Sequence, residues 1–322
     1  MNIAIVGAGM MGNTHGHAYQ KLGERVHLAY VVEKDEEKRR TFEKEFGCKG
    51  VSRLEDIQAP LDLIDICLPT FAHTDTALTA LQMCNYVLLE KPACLTQQDW
   101  ARLCEAVRQP NKHMMIGQVL RYWNGYVKAK ELVENGEIGK LQNIYCARQQ
   151  KKPSWSKDNW LFQLDKSGGI LFDLSIHDID FVAWLLGKPS HVSCDITCDE
   201  NQITLFSTLL MDYGSCSANI TAAWGMPSGF NNGQLYAKLE ITGDKGMLTY
   251  TGGNQLTLIK GDSRQIVQLD AYDGYEQEIE YFVSCIERQQ SPSNADLLSV
   301  QNTMSILWAA AQASEKHDTI AL

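Results

Sequence analysis

The chain has 322 residues, enough for about two domains at ~150 residues each, which excludes a small scaffold held together by disulfides or a metal. With 44% hydrophobic and 21% charged residues, 24 Gly and 8 Pro, the composition is that of a folded globular protein, not a collagenous, disordered or membrane-spanning one. Asp and Glu (39) outnumber Lys and Arg (29), for a formal charge of −10, which argues against a surface built to neutralise nucleic-acid phosphates.

Ten cysteines are scattered without a Cys-x-x-Cys pair and read as small buried hydrophobes in a reducing compartment. The apolar start, Ile3 to Met11, has no basic segment before it and is broken by glycines, unlike a secretion signal. No stretch approaches the ~18 consecutive apolar residues of a membrane span. The expected location is the cytoplasm, with neither membrane nor nucleic acid as partner.

The first 120 residues alternate short apolar runs with longer helical patterns, as a parallel sheet covered on both faces requires. Strands are predicted at Asn2–Val6, His27–Val32, Leu61–Leu68, Tyr86–Leu89 and His113–Ile116, with helices at Met11–Lys21, Glu36–Phe46, Thr74–Cys84 and Gln97–Val107 between them. Beyond the junction near residue 120 the texture changes. A helix at Val127–Asn135, a Trp- and Lys-rich stretch at Gln149–Leu161 and a helix at Asp173–Leu186 precede six predicted strands. These run over Val192–Thr197, Gln202–Met211, Ser215–Ala223, Leu235–Thr242, Gly246–Tyr250 and Gln255–Ile259, with Gly-rich turns that point to an antiparallel sheet. Helices at Glu276–Glu287 and Ala295–Glu315 close the chain. The fold class is α/β: a doubly wound Rossmann domain (1–120), then an α+β substrate and oligomerisation domain (121–322) with a large, mostly antiparallel open sheet, whose C-terminal helix is free to pack back against the first domain.

Gly7-Ala8-Gly9-Met10-Met11-Gly12 follows the first strand and opens a helix, the context that gives G-x-G-x-x-G its meaning. Gly7 permits the tight turn, Gly9 a close backbone approach to a pyrophosphate, and Gly12 the packing of helix on strand. Glu33 closes the second strand about 20 residues later, where a carboxylate binds the ribose hydroxyls and repels a 2′-phosphate. NAD is favoured; Lys34, Arg39 and Arg40 keep NADP open.

The next signals are Pro69-Thr70-Phe71-Ala72-His73 after the third long strand and Glu90-Lys91-Pro92 after the fourth. Arg121-Tyr122, the run Glu134 to Lys140, and the run Gly168-Gly169-Ile170-Leu171-Phe172-Asp173 to His177 follow in order. Together they resemble the glucose–fructose oxidoreductase / inositol dehydrogenase / rhizopine catabolism (Gfo/Idh/MocA) family over essentially the whole chain. The resemblance implies an NAD(P)-dependent oxidoreductase acting on a secondary hydroxyl or carbonyl of a sugar, inositol or polyol. Redox-assisted glycosidases and dinucleotide-dependent sensors of the same fold are the alternatives.

Glu90-Lys91-Pro92 stands at the carboxyl end of a parallel strand, the edge where such sheets place ligands, and Pro92 favours an extended backbone at Lys91. The resemblance places Lys91 between nicotinamide and substrate, often with a cis bond to the proline. Asp173 and His177 are four apart on a predicted helix and share one face, so the carboxylate can orient the imidazole or share a substrate hydroxyl with it. Lys91, Asp173 and His177 are therefore the candidate catalytic residues. Gly7, Gly9, Met10, Met11, Gly12, Glu33, Pro69, Thr70, His73, Glu90 and Lys91 are the candidate cofactor set.

Arg121, Trp155 and Trp160, with Lys91, Asp173 and His177, are the candidate substrate wall. Aromatic faces beside polar groups suit sugar rings, although the tryptophans serve equally well as loop anchors. His15 and His17 read as packing or pyrophosphate neighbours, Asp178 and Asp180 as structural or surface charges. No spacing of His, Cys and Glu suggests a metal. A large sheet with one open face exposes an apolar patch unless another subunit covers it, so a homodimer or homotetramer through that sheet is expected.

Overall fold

Short β-branched and aliphatic runs punctuated by Gly and Asp produce the strands and turns of the first half. The computed structural model describes residues 1–154 and 156–322, so Trp155 lies outside the described residues. The chain divides into two units, Met1–Val119 with Asp273–Ser299, and Leu120–Tyr272 with Val300–Leu322.

In the first unit, β1 (Asn2–Val6), β2 (His27–Val32), β3 (Lys49–Val51), β4 (Leu63–Ile66), β5 (Tyr86–Glu90) and β6 (His113–Gly117) form a parallel sheet ordered β3-β2-β1-β4-β5-β6. Helices α1 (Met10–Lys21), α2 (Glu36–Phe46), α3 (His73–Met83) and α4 (Gln97–Val107) alternate with the strands. Local chemistry sets their ends. The Asp35 carboxylate accepts from the amides of Glu37 and Lys38 to start α2, and Thr96 accepts from the Asp99 amide to start α4. The order in which strands are added reverses between the parallel neighbours β1 and β4, which places the ligand crevice at the carboxyl ends of those two strands. All four residues of β4 are buried, Asp65 included.

The second unit carries α5 (Asn124–Glu134), β7 (Leu141–Gln149), α6 (Leu164–Ser167), a π-helical turn (Leu171–Ser175), α7 (Ile176–Leu186), β8 (His191–Cys198), β9 (Thr204–Asp212), β10 (Ser217–Ala223), β11 (Tyr236–Gly243), β12 (Met247–Tyr250), β13 (Gln255–Lys260) and β14 (Ser263–Gln268). With β15 (Ile320–Ala321) these strands make a nine-stranded sheet, ordered β14-β13-β12-β11-β7-β10-β9-β8-β15. Its neighbours pair antiparallel except β7 and β10, which run parallel at its centre. Strand β9 shows the two-residue period of a one-sided sheet: Ser207, Leu209 and Met211 are buried, whereas Phe206, Thr208 and Leu210 face out. Of the last two helices, α8 (Gly274–Glu287) belongs to the first unit and α9 (Gln301–Lys316) to the second. Helix α8, though within the 121–322 stretch, therefore sits apart from the rest of it; its docking is fixed by Arg25, whose guanidinium bonds Glu280 and Glu287 at 2.6–3.0 Å.

Two arginine–aspartate pairs lie in the interior of the second unit. Arg121, 2% exposed, donates from Nε and Nη2 to Asp180 at 2.8 and 2.7 Å, and Thr303 donates to the same carboxylate at 2.7 Å. Arg148 bonds Asp178 at 3.0 and 2.9 Å and the Tyr126 hydroxyl at 3.0 Å. Of the two readings of Asp178 and Asp180, structural or surface charges, the structure shows the first. The helix turns both inward, where each needs a buried cation. Arg121, expected in the substrate wall, is that cation for Asp180. Arg121→Met leaves Asp180 buried without it and should lower stability by about 3–5 kcal/mol in chemical denaturation, whereas Arg121→Met with Asp180→Leu should recover most of the loss.

Candidate active site

The glycine loop is fixed by steric fit. Gly7 adopts φ +105°, and a Cβ there would lie 2.6 Å from the Cys67 carbonyl oxygen. At Gly12 a Cβ would fall 1.9 Å from the Gly7 carbonyl oxygen, so helix α1 can approach β1 only without a side chain. Gly9 differs, since a Cβ there meets no described atom within 4 Å. The helix begins at this open position with no capping side chain among the described residues, so its first amides face a cradle suited to an anion. Met10 is exposed and Met11 half-buried at this first turn. Asn13 fastens the loop from behind by donating to the Ala8 and Gly9 carbonyls.

Glu33, half-buried at the end of β2, accepts from the Ala8 amide at 3.1 Å and from the Asp35 amide at 2.9 Å. The acid expected to read the ribose therefore lies against the glycine loop. Arg39, one of the groups that kept NADP open, donates to the Glu33 carbonyl at 2.7 Å.

The carboxyl ends of β4 and β5 supply the rest. Pro69 and Thr70 lead into α3, with Thr70 buried. His73, fully buried, sets one ring nitrogen 2.8 Å from the Leu68 carbonyl and the other 2.8 Å from the Pro92 carbonyl. Burial pushes its pKa down against the pull of those two carbonyls. The Lys91–Pro92 bond is cis. The residue before it is held by Glu90, which accepts from the Lys91 N–H at 3.0 Å, and the residue after it by His73, whose ring meets the Pro92 carbonyl. Lys91 itself is half-buried. His73 is thus a clamp between two loops, and Glu90 a support for Lys91.

In the second unit, Asp173 stands on the π-helical turn and His177 on the first turn of α7. Single π turns inside helices recur at functional sites because they re-aim side chains. From Leu171 to Ala183 every residue is buried except Asp173 and His177, which are both half-exposed. Trp160 packs half-buried against a core of Leu161, Ile170, Leu174, Ala222 and Trp224, so it serves at least as a loop anchor beneath that turn.

Sequence reasoning missed the polar cluster under the glycine loop. His15 Nδ1 lies 2.8 Å from Asp65, and Nε2 lies 3.2 Å from Glu90. The Tyr19 hydroxyl donates to Asp65 at 3.0 Å, and Cys67 Sγ sits 3.4 Å from both His15 and Asp65. His15, Asp65 and Cys67 offer metal-type ligand atoms within 4.8 Å of one another. The 2.8 Å contact is nevertheless a direct hydrogen bond, shorter than the roughly 3.3 Å edge of a tetrahedron with ~2 Å metal–ligand bonds. The available signal was Asp65 itself, an acid in the middle of Leu63-Ile64-Asp65-Ile66, which a strand covered on both faces cannot hold without a partner.

A family model described as "Oxidoreductase family, NAD-binding Rossmann fold" matches residues 1–118, and one described as "GFO/IDH/MocA C-terminal domain" matches residues 126–249. The chain belongs to the Gfo/Idh/MocA oxidoreductase family. An uncharacterised oxidoreductase of Streptococcus pneumoniae is 30% identical over 57% of this chain and 49% of its own length. The chain thus spans about half the length of the first curated relatives that it matches. Inositol 2-dehydrogenase of Rhizobium meliloti is 22% identical over 93% of both chains. A solved levoglucosan dehydrogenase in complex with NADH and levoglucosan superposes with a TM-score of 0.88 at 19% identity, covering 100% of this chain and 98% of that one.

The Rossmann domain of this Gfo/Idh/MocA member fits NAD by its own geometry: an open Gly9 cradle, an uncapped helix start and an acid at the end of β2. Gly9→Val should therefore weaken NAD binding by about tenfold or more in a fluorescence titration while the far-ultraviolet dichroism stays unchanged. Gly12→Ala, by contrast, should lower the melting temperature, because its methyl has no room.

Proposed function

We propose that the protein is an NAD-dependent dehydrogenase acting on a CH–OH group of a sugar, inositol or related polyol, with Lys91, Asp173 and His177 as its catalytic residues. The observation that carries this reading is the pattern of burial around the π turn. A helical stretch shielded along its whole length opens only at a carboxylate and an imidazole four residues apart. Such a pair in an otherwise shielded helix is placed to meet a ligand, and an imidazole beside a carboxylate is suited to proton transfer. The names of the relatives, an inositol and a levoglucosan dehydrogenase, support the substrate class.

Bound nicotinamide supplies the acceptor for the electron pair of the carbon–hydrogen bond. His177 takes the hydroxyl proton at Nε2, since its Nδ1 is shielded from solvent. Asp173 orients that ring and holds a neighbouring substrate hydroxyl. Lys91 Nζ stabilises the oxygen as its charge develops. Gly7, Gly9, Met10, Met11 and Gly12 hold the pyrophosphate and Glu33 the ribose, whose 2′-phosphate it would repel. Trp160 remains a candidate for the apolar face of the sugar; Arg121 drops out because its guanidinium is committed to Asp180.

We further propose a homo-oligomer in which a second copy covers the open face of the nine-stranded sheet. Phe206 and Leu210, on the same face of β9, are 38% and 43% exposed and would be covered by that copy. A cytoplasmic setting accords with ten free cysteines, and among the described residues no helix is long and apolar enough to cross a membrane.

A panel of inositols, aldoses, ketoses and glycosides with NAD and NADP, followed by NADH absorbance, tests the reading. Net NADH from a polyol is expected; glycoside cleavage without it would replace the dehydrogenase with a redox-assisted glycosidase. His177→Asn should lower kcat by about 10²- to 10⁴-fold with NAD affinity retained, and near wild-type turnover by Lys91→Ala would remove that residue from the mechanism. Phe206→Lys with Leu210→Lys should shift sedimentation toward the monomer.

A further inference from the structure

Beneath the glycine loop the first unit buries a cluster of ionisable groups, of which only Glu90 has been given a part, as a support for Lys91. His15 comes from the second turn of α1, Asp65 from the middle of β4 and Glu90 from the end of β5; His15 and Asp65 are fully buried and Glu90 is 6% exposed. The imidazole lies between the two carboxylates, Nδ1 on Asp65 at 2.8 Å and Nε2 on Glu90 at 3.2 Å. Tyr19 and Cys67 complete the Asp65 end. From α8, the Tyr275 ring faces His15 at 6.1 Å between centroids, and Glu278 acts on both Tyr19 and Tyr275 through its charge.

With both carboxylates ionised, the ring meets them as an imidazolium: Nδ1–H donates to Asp65 at 2.8 Å, and Nε2 faces Glu90 at 3.2 Å as a charge contact rather than an aligned hydrogen bond. The balance of forces agrees. Burial alone would push the His15 pKa down, yet Asp65, with Cys67, more than offsets it and holds it well above the ordinary value. Burial likewise pushes Glu90 up, and His15 and Lys91 more than compensate, so that its carboxyl stays ionised.

The chain of contacts continues to the candidate catalytic lysine. Glu90 accepts from the Lys91 amide at 3.0 Å, and the Lys91 ammonium acts on the same carboxylate. We propose that His15 is a positioning residue for Lys91: as a permanent cation between Asp65 and Glu90, it fixes the Glu90 carboxylate that anchors the Lys91 backbone and faces its ammonium. The inference rests on the reading of Lys91 as a catalytic group. It explains why an acid stands inside a strand buried on both faces, since Asp65 is the counter-charge that keeps His15 protonated where no water reaches it.

The test is nuclear magnetic resonance of the full-length protein labelled at lysine and histidine nitrogens, combined with kinetics. In the wild type both His15 ring nitrogens should show protonated imidazolium shifts, and the Lys91 amide should not titrate, between about pH 5.5 and 8.5, a range that spans the ordinary His pKa of ~6.5. A neutral His15 tautomer in that range overturns the proposal without any variant being made. In His15→Asn the Lys91 amide should titrate as Glu90 protonates above its usual range, and kcat should fall about tenfold or more and rise with pH as Glu90 ionises. His15→Asn with Glu90→Gln should abolish the Lys91 titration and lose no more activity than Glu90→Gln alone. A Lys91 amide unmoved in His15→Asn, or fully additive losses, refutes the positioning role. If the wild type oxidises no polyol, the dehydrogenase reading fails while the spectra still judge the link from His15 to Lys91.

Discussion

Charge buried without water is the constraint on which much of this structure depends. A parallel sheet covered on both faces has no solvated side on which to place an ionised group, yet β4 carries Asp65 at its centre and β5 ends in Glu90. The second unit repeats the problem with Asp178 and Asp180, which α7 turns inward. In each case the solution is a cation from a distant part of the sequence: His15 for Asp65 and Glu90, Arg148 for Asp178, Arg121 for Asp180. A buried ion pair adds little net stability over apolar packing, but the loss of one partner is costly. Such pairs therefore act as register pins that tolerate one arrangement of α1, β4 and β5, and one rotation of α7 about its axis.

That rotation decides what α7 presents. With Asp178 and Asp180 held inward by their arginines, His177 has only one direction left in which to point. The π turn before it re-aims Asp173 in the same region. The exposure of this pair is thus the complement of the burial of the other: Asp178 and Asp180 are held by arginines, and Asp173 and His177 are left half-exposed. A similar division holds in the first unit, where the glycines that shape the cradle, Gly7 and Gly12, are distinct from Gly9, which is left open.

Much of the first unit was legible because its signals are local. The run Gly7 to Gly12 and the apolar strands each depend on neighbours within a few residues, and the strand and helix boundaries follow closely. What the sequence did not disclose depends on partners far away. Strand β7, Leu141–Gln149, occupies the centre of the large sheet, but its residues Gln142, Asn143 and Arg148 blur the two-residue period, and Arg148 is there to meet Asp178. The three-residue edge strand β3 and the strand β14 fall below what alternation can signal. Arg121 read as a ligand-facing charge because a sequence shows an arginine and not the aspartate 59 residues later that holds it. His15 was visible only as a histidine near a phosphate-binding loop; its two carboxylates come from separate strands.

The membership of α8 in the first unit bears on how the protein is made. Residues Asp273–Ser299 complete a unit whose other residues end at Val119, and they supply Tyr275 beside His15 and the acids that clasp Arg25. During synthesis the nucleotide-binding unit leaves the ribosome early but waits, unfinished, while more than 150 further residues are translated. Over that interval the surface that α8 later covers stays open to solvent. Truncations before residue 299 should accordingly be recovered as aggregates rather than as an isolated nucleotide-binding domain.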